Sequence, residues 1–470
     1  MDNAKSHIDT NESFRDSIST ISKEGKRNWI YPKKPKGRLH NKRIVVTIIL
    51  LLMLFSGPFW KWNGHAMFLF NVLERKFIIF GIPFWPQDFF LFVLAMLTFF
   101  VFIILFTAVF GRVWCGWACP QTIFLEMVFR KIEYAIEGDY TRQKALDSSP
   151  WTPEKIRKKA LKHFIFFLIS FLIANTFLAY LIGVESLGLL VTEGPGNHLG
   201  GFFSLIVFTG VFYGVFARFR EQVCLVVCPY GRLQGVLLDR NSVVIAYDYN
   251  RGEQRGKIRK GLERTEGDCI DCHQCVHVCP TGIDIRNGTQ LECVNCTACV
   301  DACDDVMDKV GFKRGLIRFA SENSIASKMK FKVTTRIIGY STILVLLLST
   351  LVTLLAFRSD VETTVLRTPG QLYQEQDSGR VSNLYNIQVI NKTFKDLPIE
   401  VKVKSPQGEI KYIGSPITAV RHDSLVEAVF FIILPKSEIL KLKTEVRLSI
   451  LSDGKEIDEI KTNFLGPNTH

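Results

Sequence analysis

The last 167 residues of this 470-residue chain contain no cysteine, although twelve lie between Cys115 and Cys303. That gap argues against a secreted, disulfide-stapled protein, which would staple its folded parts throughout. The extreme N-terminus is polar and lacks an apolar run behind a short basic start, so a cleaved signal peptide is not expected. The chain has no P-loop, and no GxGxxG follows a strand and opens a helix, so neither ATP nor nicotinamide binding is indicated. Gly252-Glu253-Gln254-Arg255-Gly256 is glycine-spaced but reads as a loop. Lys and Arg are absent from 184–200 and number only two in 63–88.

Apolar residues, by contrast, are plentiful: 47% of the chain, with 37 Phe. Five apolar runs stand out, at 44–62, 89–110, 164–183, 201–217 and 337–357. At ~1.5 Å per helical residue, such runs cross the ~30 Å hydrocarbon core of a bilayer. The composition therefore predicts a membrane protein with five helical spans rather than three soluble domains. Basic residues number 11 in 1–43, 10 in 111–163 and 19 in 218–336. By the positive-inside rule these segments face the cytoplasm, and an odd number of spans leaves the C-terminus outside. The inside segments hold 40 basic and 26 acidic residues, whereas 358–470 holds 15 of each. The net charge of +13 thus reads as topology and contact with anionic lipid, and nucleic acid is not an expected partner.

Residues 1–43 mix Ser, Lys, Asn and Pro without apolar periodicity and predict a loose basic tail. Residues 138–163 read as a charged inside loop. Near the C-terminus, Ile399, Val401 and Val403 alternate with Glu400, Lys402 and Lys404 before the turn Ser405-Pro406-Gln407-Gly408. Val446, Leu448 and Ile450 alternate before Ser452-Asp453-Gly454. This pattern predicts a small β-sandwich over 358–470.

The cysteines carry the chemistry. Cys269-x2-Cys272-x2-Cys275-x3-Cys279-Pro280 is followed by Cys293-x2-Cys296-x2-Cys299-x3-Cys303. Three thiolates two residues apart can wrap three corners of an Fe4S4 cube from one tight loop, while the fourth ligates the other cube. The spacing assigns Cys269, Cys272, Cys275 and Cys303 to one 4Fe-4S cluster and Cys293, Cys296, Cys299 and Cys279 to a second. Zinc is the plainer alternative, but zinc sites usually pair two CxxC units. Asp304 stands where Pro usually follows the last ligand, beside the first cluster. His273 and His277 read as solvated or helix-facing rather than as iron ligands.

The other four cysteines repeat a second pattern. Cys115-Gly116-Trp117-Ala118-Cys119-Pro120 follows the second span, and Cys224-Leu225-Val226-Val227-Cys228-Pro229 follows the fourth. Arg112 precedes the first, and Arg218, Arg220 and Glu221 precede the second. On a helix, each i, i+4 pair would place both thiols on one face. Four soft thiolates meeting at the inner face would suit Fe–S, Cu(I) or a thiol–disulfide relay. The competing reading is four small apolar side chains packed between helices.

Several motifs together resemble the cytochrome c oxidase accessory protein family (CcoG, FixG, RdxA). They are Trp85-Pro86-Gln87-Asp88, the run Gly111 to Thr122, Glu221-Gln222-Val223-Cys224 with Cys228-Pro229-Tyr230, and Tyr247-Asp248 with Arg251-Gly252-Glu253 and Arg255-Gly256. The doubled cysteine run and Val306-Met307-Asp308-Lys309 through Arg314-Gly315-Leu316-Ile317-Arg318 complete the set. The likeness covers nearly all of the chain from about residue 30. It implies a bacterial inner-membrane polyferredoxin that assists cbb3-type oxidase assembly by reducing Cu(II) to Cu(I) for the oxidase copper centre, with a C-terminal immunoglobulin-like domain.

The expected architecture is an α-helical membrane protein of five spans carrying an inserted α+β two-cluster ferredoxin domain and a C-terminal all-β immunoglobulin-like sandwich. Its segments are a basic cytoplasmic tail (1–43), a four-span region with both CxxxCP motifs (44–238), a cytoplasmic ferredoxin domain (239–336), a fifth span (337–357) and a periplasmic β domain (358–470). Expected cofactors are two 4Fe-4S clusters, with copper ion as substrate and Cys115, Cys119, Cys224 and Cys228 as the redox or metal relay. Expected partners are membrane lipid, oxidase subunits or copper-delivery proteins, an unidentified cytoplasmic electron donor and a second copy of the chain in a homodimer. Two competing classes remain: a quinol-linked electron-transfer subunit, for which the outside His65 and His198 are candidates against mere solvation, and a non-redox assembly scaffold. Cycling of a bound chromophore with reductant separates the redox readings from the scaffold.

Overall fold

The computed structural model describes residues 20–21, 24, 26–62, 64–72, 76–85, 88–194, 196–258, 264–328, 332–370, 372–376, 379–439 and 441–467. Most of the N-terminal tail and Pro86-Gln87 of the Trp85–Asp88 motif lie outside these residues. Among the described residues, five helices are long and apolar enough to cross a membrane: Arg38–Phe59, Phe89–Phe110, Pro153–Ile182, Leu199–Phe219 and Thr335–Ala356. The second matches the apolar run at both ends, and the others shift. The first begins at Arg38, inside what the sequence reads as tail, because a distant carboxylate caps it. The third begins eleven residues early. Thr152 accepts the Lys155 N–H at 3.3 Å and Pro153 occupies the first turn, so the basic stretch before the apolar run is already helical. The charged loop at 138–163 is therefore mostly helix, with Tyr140–Ser148 capped by Asp139.

The chain divides into two compact units, one of residues 1–58 and 93–349, the other of 59–92 and 350–470. In the first, the third and fourth spans pack through Ala174, Leu178 and Leu205. Phe129 stacks on Phe216, with ring centroids 4.5 Å apart, and meets Phe166 edge-on. The inserted domain pairs strand Val244–Tyr247 with Ile317–Ala320 and carries the helix Ala298–Val310. Residues 26–37 are not a loose tail. The Lys33 N–H donates to the His277 carbonyl at 2.7 Å, Lys33 Nζ to Gln274 at 2.8 Å, and Tyr31 to Asp147 at 2.5 Å. Backbone and side-chain hydrogen bonds hold this segment, which apolar periodicity does not report.

In the second unit, two antiparallel sheets share one core. One runs in the order 409–413, 424–435, 380–391, 361–367, and the other in the order 400–405, 443–452, 455–465. Val401, Val446, Leu448 and Ile450, the alternating residues, point into that core with Tyr385, Phe430 and Phe464. Asp453 and Gly454 both take positive φ, at 49° and 76°, in the two-residue hairpin turn this motif favours. The loop after the first span folds as a small sheet of 68–71, 76–79 and 82–84. Asp88, 4% exposed, joins that segment to the β region through Lys392 Nζ at 2.7 Å and Arg358 Nη2 at 2.7 Å.

Candidate functional site

The two cysteine runs fold as matching loops. Asp271 and His273 in the first take φ of 53° and 54°, and Asn295 and Thr297 in the second take 51° and 66°. These left-handed residues fall two and four positions after Cys269 and Cys293, so each loop curls its backbone the same way. The first loop surrounds a cavity lined by Cys269, Cys272, Cys275 and Cys303 with Tyr247, Met307 and Leu316. A second cavity is lined by Cys279, Cys293, Cys296 and Cys299 with Ile245, Ile283 and Ile285, and Cys275 also reaches its wall. Helix Ala298–Val310 sends Cys299 to the second cavity and Cys303 to the first. Cys272 is exposed at the rim of the first cavity. Cys296 of the second is buried.

The twelve thiols are all free. Burial pushes Cys275, Cys293 and Cys303 up to about 12 and Cys296 up to about 11. Four thiolates can persist in such a place only against a cationic centre. Among the described residues, no three His, Cys, Asp or Glu converge closely enough for a single metal ion. Four sulfur donors set around an apolar-walled cavity fit a multi-iron cluster by donor chemistry. His273 lies on the rim of the first cavity, its Nδ1 2.8 Å from Arg286 Nη2. His277 is exposed beside the Tyr140 ring. Asp304 accepts the Gly315 N–H at 2.9 Å.

The CxxxCP pairs do not sit on continuous helices. Cys115 lies in the short helix Val113–Trp117, whereas Cys119 is extended, at φ −63° and ψ 123°, and opens the helix beginning at Pro120. Cys224 lies in the π-helical turn Val223–Val227, and Cys228, at φ −70° and ψ 112°, opens Pro229–Leu237. The proline after each second cysteine forces that residue out of the helical region, so the one-face expectation is corrected while the repeat is preserved. The two pairs lie within electrostatic reach of each other. Cys224 is pushed up to about 12 by burial, with the Cys119 and Cys115 thiols adding to the shift. Cys119 is raised by burial and by Cys115 and Cys228. Gln234 Nε2 donates to Cys115 Sγ at 3.4 Å.

This group abuts the second cavity. Cys115 packs with Val278, Val294, Cys296 and Ala298. A Cβ at Gly116 would lie 2.3 Å from the Val294 carbonyl oxygen and 3.0 Å from the Cys296 nitrogen, so only glycine lets the two backbones approach. Trp117 Nε1 donates to the Asn295 carbonyl at 3.3 Å, and Arg112 donates to the Leu291 carbonyl. Sequence reasoning noted Arg112 only as a flanking residue and overlooked Gly116, Asp301, Arg43 and Arg130. Arg43 precedes the apolar run at 44–62 and, like the rest, is marked only by contacts across the fold. His65 and His198 belong to separate settings. His198 pairs with Glu193 at 2.7 Å. His65 stacks on Phe394 at 4.2 Å, near His422.

Residues 219–322 match a family described as a 4Fe-4S dicluster domain, and 92–136 one described as a 4Fe-4S binding domain. Residues 351–467 match an IG-like fold at the C-terminal of FixG. The nitrogen fixation protein FixG of Rhizobium meliloti is 38% identical over 315 residues, 65% of this chain and 59% of that protein's length. Protein RdxB of Cereibacter sphaeroides is 32% identical over 436 residues, 88% of this chain and 90% of RdxB. RdxA from the same organism is 32% identical over 401 residues, 81% and 83% of the two chains. A FixG-related protein from Vibrio parahaemolyticus, known by crystal structure, covers 23% of this chain and 97% of its own, at 19% identity and a TM-score of 0.19.

Proposed function

The chain belongs to the FixG/RdxA-like polyferredoxin family and is a membrane iron–sulfur electron-transfer protein, and we propose that it passes single electrons from a cytoplasmic donor to Cu(II), giving Cu(I) for the copper centre of a cbb3-type oxidase. In this reading Cys269, Cys272, Cys275 and Cys303 hold one 4Fe-4S cluster, and Cys279, Cys293, Cys296 and Cys299 hold the other. Such clusters supply reversible one-electron transfers. The observation that carries the reading is the packing of Cys115 against Val294 and Cys296, which sets the CxxxCP thiols against the second cradle.

The chain's own residues do the rest. Cys272 offers a solvent-facing edge where a donor can approach. The apolar walls from Tyr247, Met307 and Leu316 in one cavity and Ile245, Ile283 and Ile285 in the other exclude water. Cys115, Cys119, Cys224 and Cys228 supply the soft sulfur that favours Cu(I) over Cu(II). Each Cu(II) gains one electron and the donor side loses one. The distribution of basic residues supports an orientation with the N-terminus and residues 218–336 in the cytoplasm and 358–470 in the periplasm. Oxidase subunits or copper-delivery proteins, membrane lipid and a second copy of the chain are the partners that fit.

The test uses purified, iron-loaded protein reduced anaerobically with dithionite, freed of excess reductant and mixed with Cu(II) and a Cu(I)-selective chelator. One Cu(I) per stored electron is expected without quinol. The Cys115→Ser, Cys224→Ser double variant should keep its iron and lose most of this reduction. Undiminished reduction by that variant would mean that the exposed centre reduces copper directly. A requirement for added quinol would favour a quinol-linked subunit.

A further inference from the structure

Arg43 in the first span is 2% exposed, and Arg112 at the end of the second is 3% exposed. Among the described residues, Arg43 Nε and Nη2 and Arg112 Nε have no hydrogen-bond partner, and neither guanidinium has a carboxylate within ion-pair distance. A buried charge without a counter-charge is costly, so an anion is expected nearby. Both residues are held against the second cradle. Asp301, on the helix that carries Cys299 and Cys303, caps the first span at Leu39 and His40, one turn before Arg43. Arg112 donates to the Leu291 carbonyl, two residues before Cys293.

The first cradle is different. Arg286 is paired with Asp284 and Asp271, Arg251 with Asp268, and Arg255 with Glu253. Arg130, also near the second cradle, donates to the Pro280 carbonyl at 3.1 Å but is already paired with Glu126 and Glu221. Uncompensated positive charge is therefore supplied to the second cradle by Arg43 and Arg112.

We propose that Arg43 and Arg112 are positioning residues that counter the negative charge of the four thiolates and the cluster in the second cradle, and thereby raise its reduction potential. The inference rests on the assignment of the second cradle as a 4Fe-4S site. Cluster potential follows net charge, hydrogen bonds to sulfur and solvent exposure, and a buried positive charge favours the form that carries the added electron. Their effect lets a buried centre accept an electron that would otherwise stay at the exposed one.

The test is a potentiometric titration of the full-length holoprotein followed by electron paramagnetic resonance, with wild type, Arg43→Lys, Arg43→Gln and Arg112→Gln. Each Gln variant should lower the second centre's reduced-to-oxidised ratio at fixed potential by at least tenfold, a shift of about 59 mV for one electron, while the first centre stays in place. Arg43→Lys should lie closer to wild type. Unchanged second-centre potentials in both Gln variants would overturn the proposal. If Arg43→Gln loses the second centre, iron analysis decides: retention in Arg43→Lys supports charge compensation, and equal loss in both overturns it. Wild-type protein with only one 4Fe-4S signal would remove the assignment of the second cradle itself, and the inference with it.

Discussion

The Asp301 carboxylate accepts the backbone N–H of His40 at 2.7 Å, across 261 residues of chain, and the N–H of Leu39 at 3.1 Å. Gly37 precedes that helix and offers no side-chain cap of its own, so the first span takes its cap from the helix between Cys299 and Cys303. Asp301→Ala should destabilise the protein by about 1 kcal/mol, the usual worth of a cap. Asp301→Asn, which keeps one acceptor oxygen, should lose less. Thermal unfolding in detergent checks the order; an Ala variant as stable as wild type would remove the cap's importance.

Gly116→Ala should strike the second cradle selectively. Its Cβ would sit 2.3 Å from the Val294 carbonyl oxygen, and backbone on both sides leaves little room to yield. Iron should fall from about eight to about four per chain, as expected for losing one of two Fe4S4 clusters, with the first centre's resonance signal intact. Full iron content in this variant would show that the loop can move aside.

Cross-ligation predicts an asymmetric pair of variants. Cys279→Ser should damage the centre held by Cys293, Cys296 and Cys299 more than its neighbour, although Cys279 follows Cys275 in sequence. Cys303→Ser should do the reverse. Electron paramagnetic resonance of the two reduced variants distinguishes them, and clean loss of the first centre in Cys279→Ser would refute the ligand sets.

Burial pushes the Asp88 carboxyl up, but the hydrogen bond from Lys392, the Trp85 N–H and the Arg358 charge outweigh it and hold the group below its ordinary 3.8. A carboxylate lowered on folding contributes stability that is complete above its ordinary value and is lost as the pH falls through the lowered one. Asp88→Asn leaves Arg358 and the 4%-exposed Lys392 without that partner and should cost about 3–5 kcal/mol near neutral pH, as for breaking a buried pair. The difference between wild type and variant should shrink in acid below about pH 3.8. A difference in unfolding midpoint that stays constant down to pH 2 would contradict this account.

Reporter fusions test the orientation. A reporter joined after residue 467 should be active outside the cytoplasm, and one inserted in 240–258 should be active inside. Protease attack on the 264–303 segment in intact spheroplasts would overturn the charge-based orientation.

The features legible in the sequence were those whose physics is local. Apolar runs long enough for a bilayer marked the five helices, and the second, Phe89–Phe110, needed no adjustment. Period-two alternation at Val446, Leu448 and Ile450 placed a strand, and the spacing of the eight cysteines marked two matching loops because each loop closes on itself. The helix break at Cys119 and Cys228 was also local, written in the prolines that follow, yet the i, i+4 spacing alone pointed to one face. Tertiary structure decided the rest. The cap that Asp301 gives Leu39, the close approach that requires Gly116, and the burial of Arg43 and Arg112 beside the second cradle join residues scores to hundreds of positions apart. No periodicity records such pairs, since they form only when packing brings one element's backbone against another's and leaves a charge no water to solvate it.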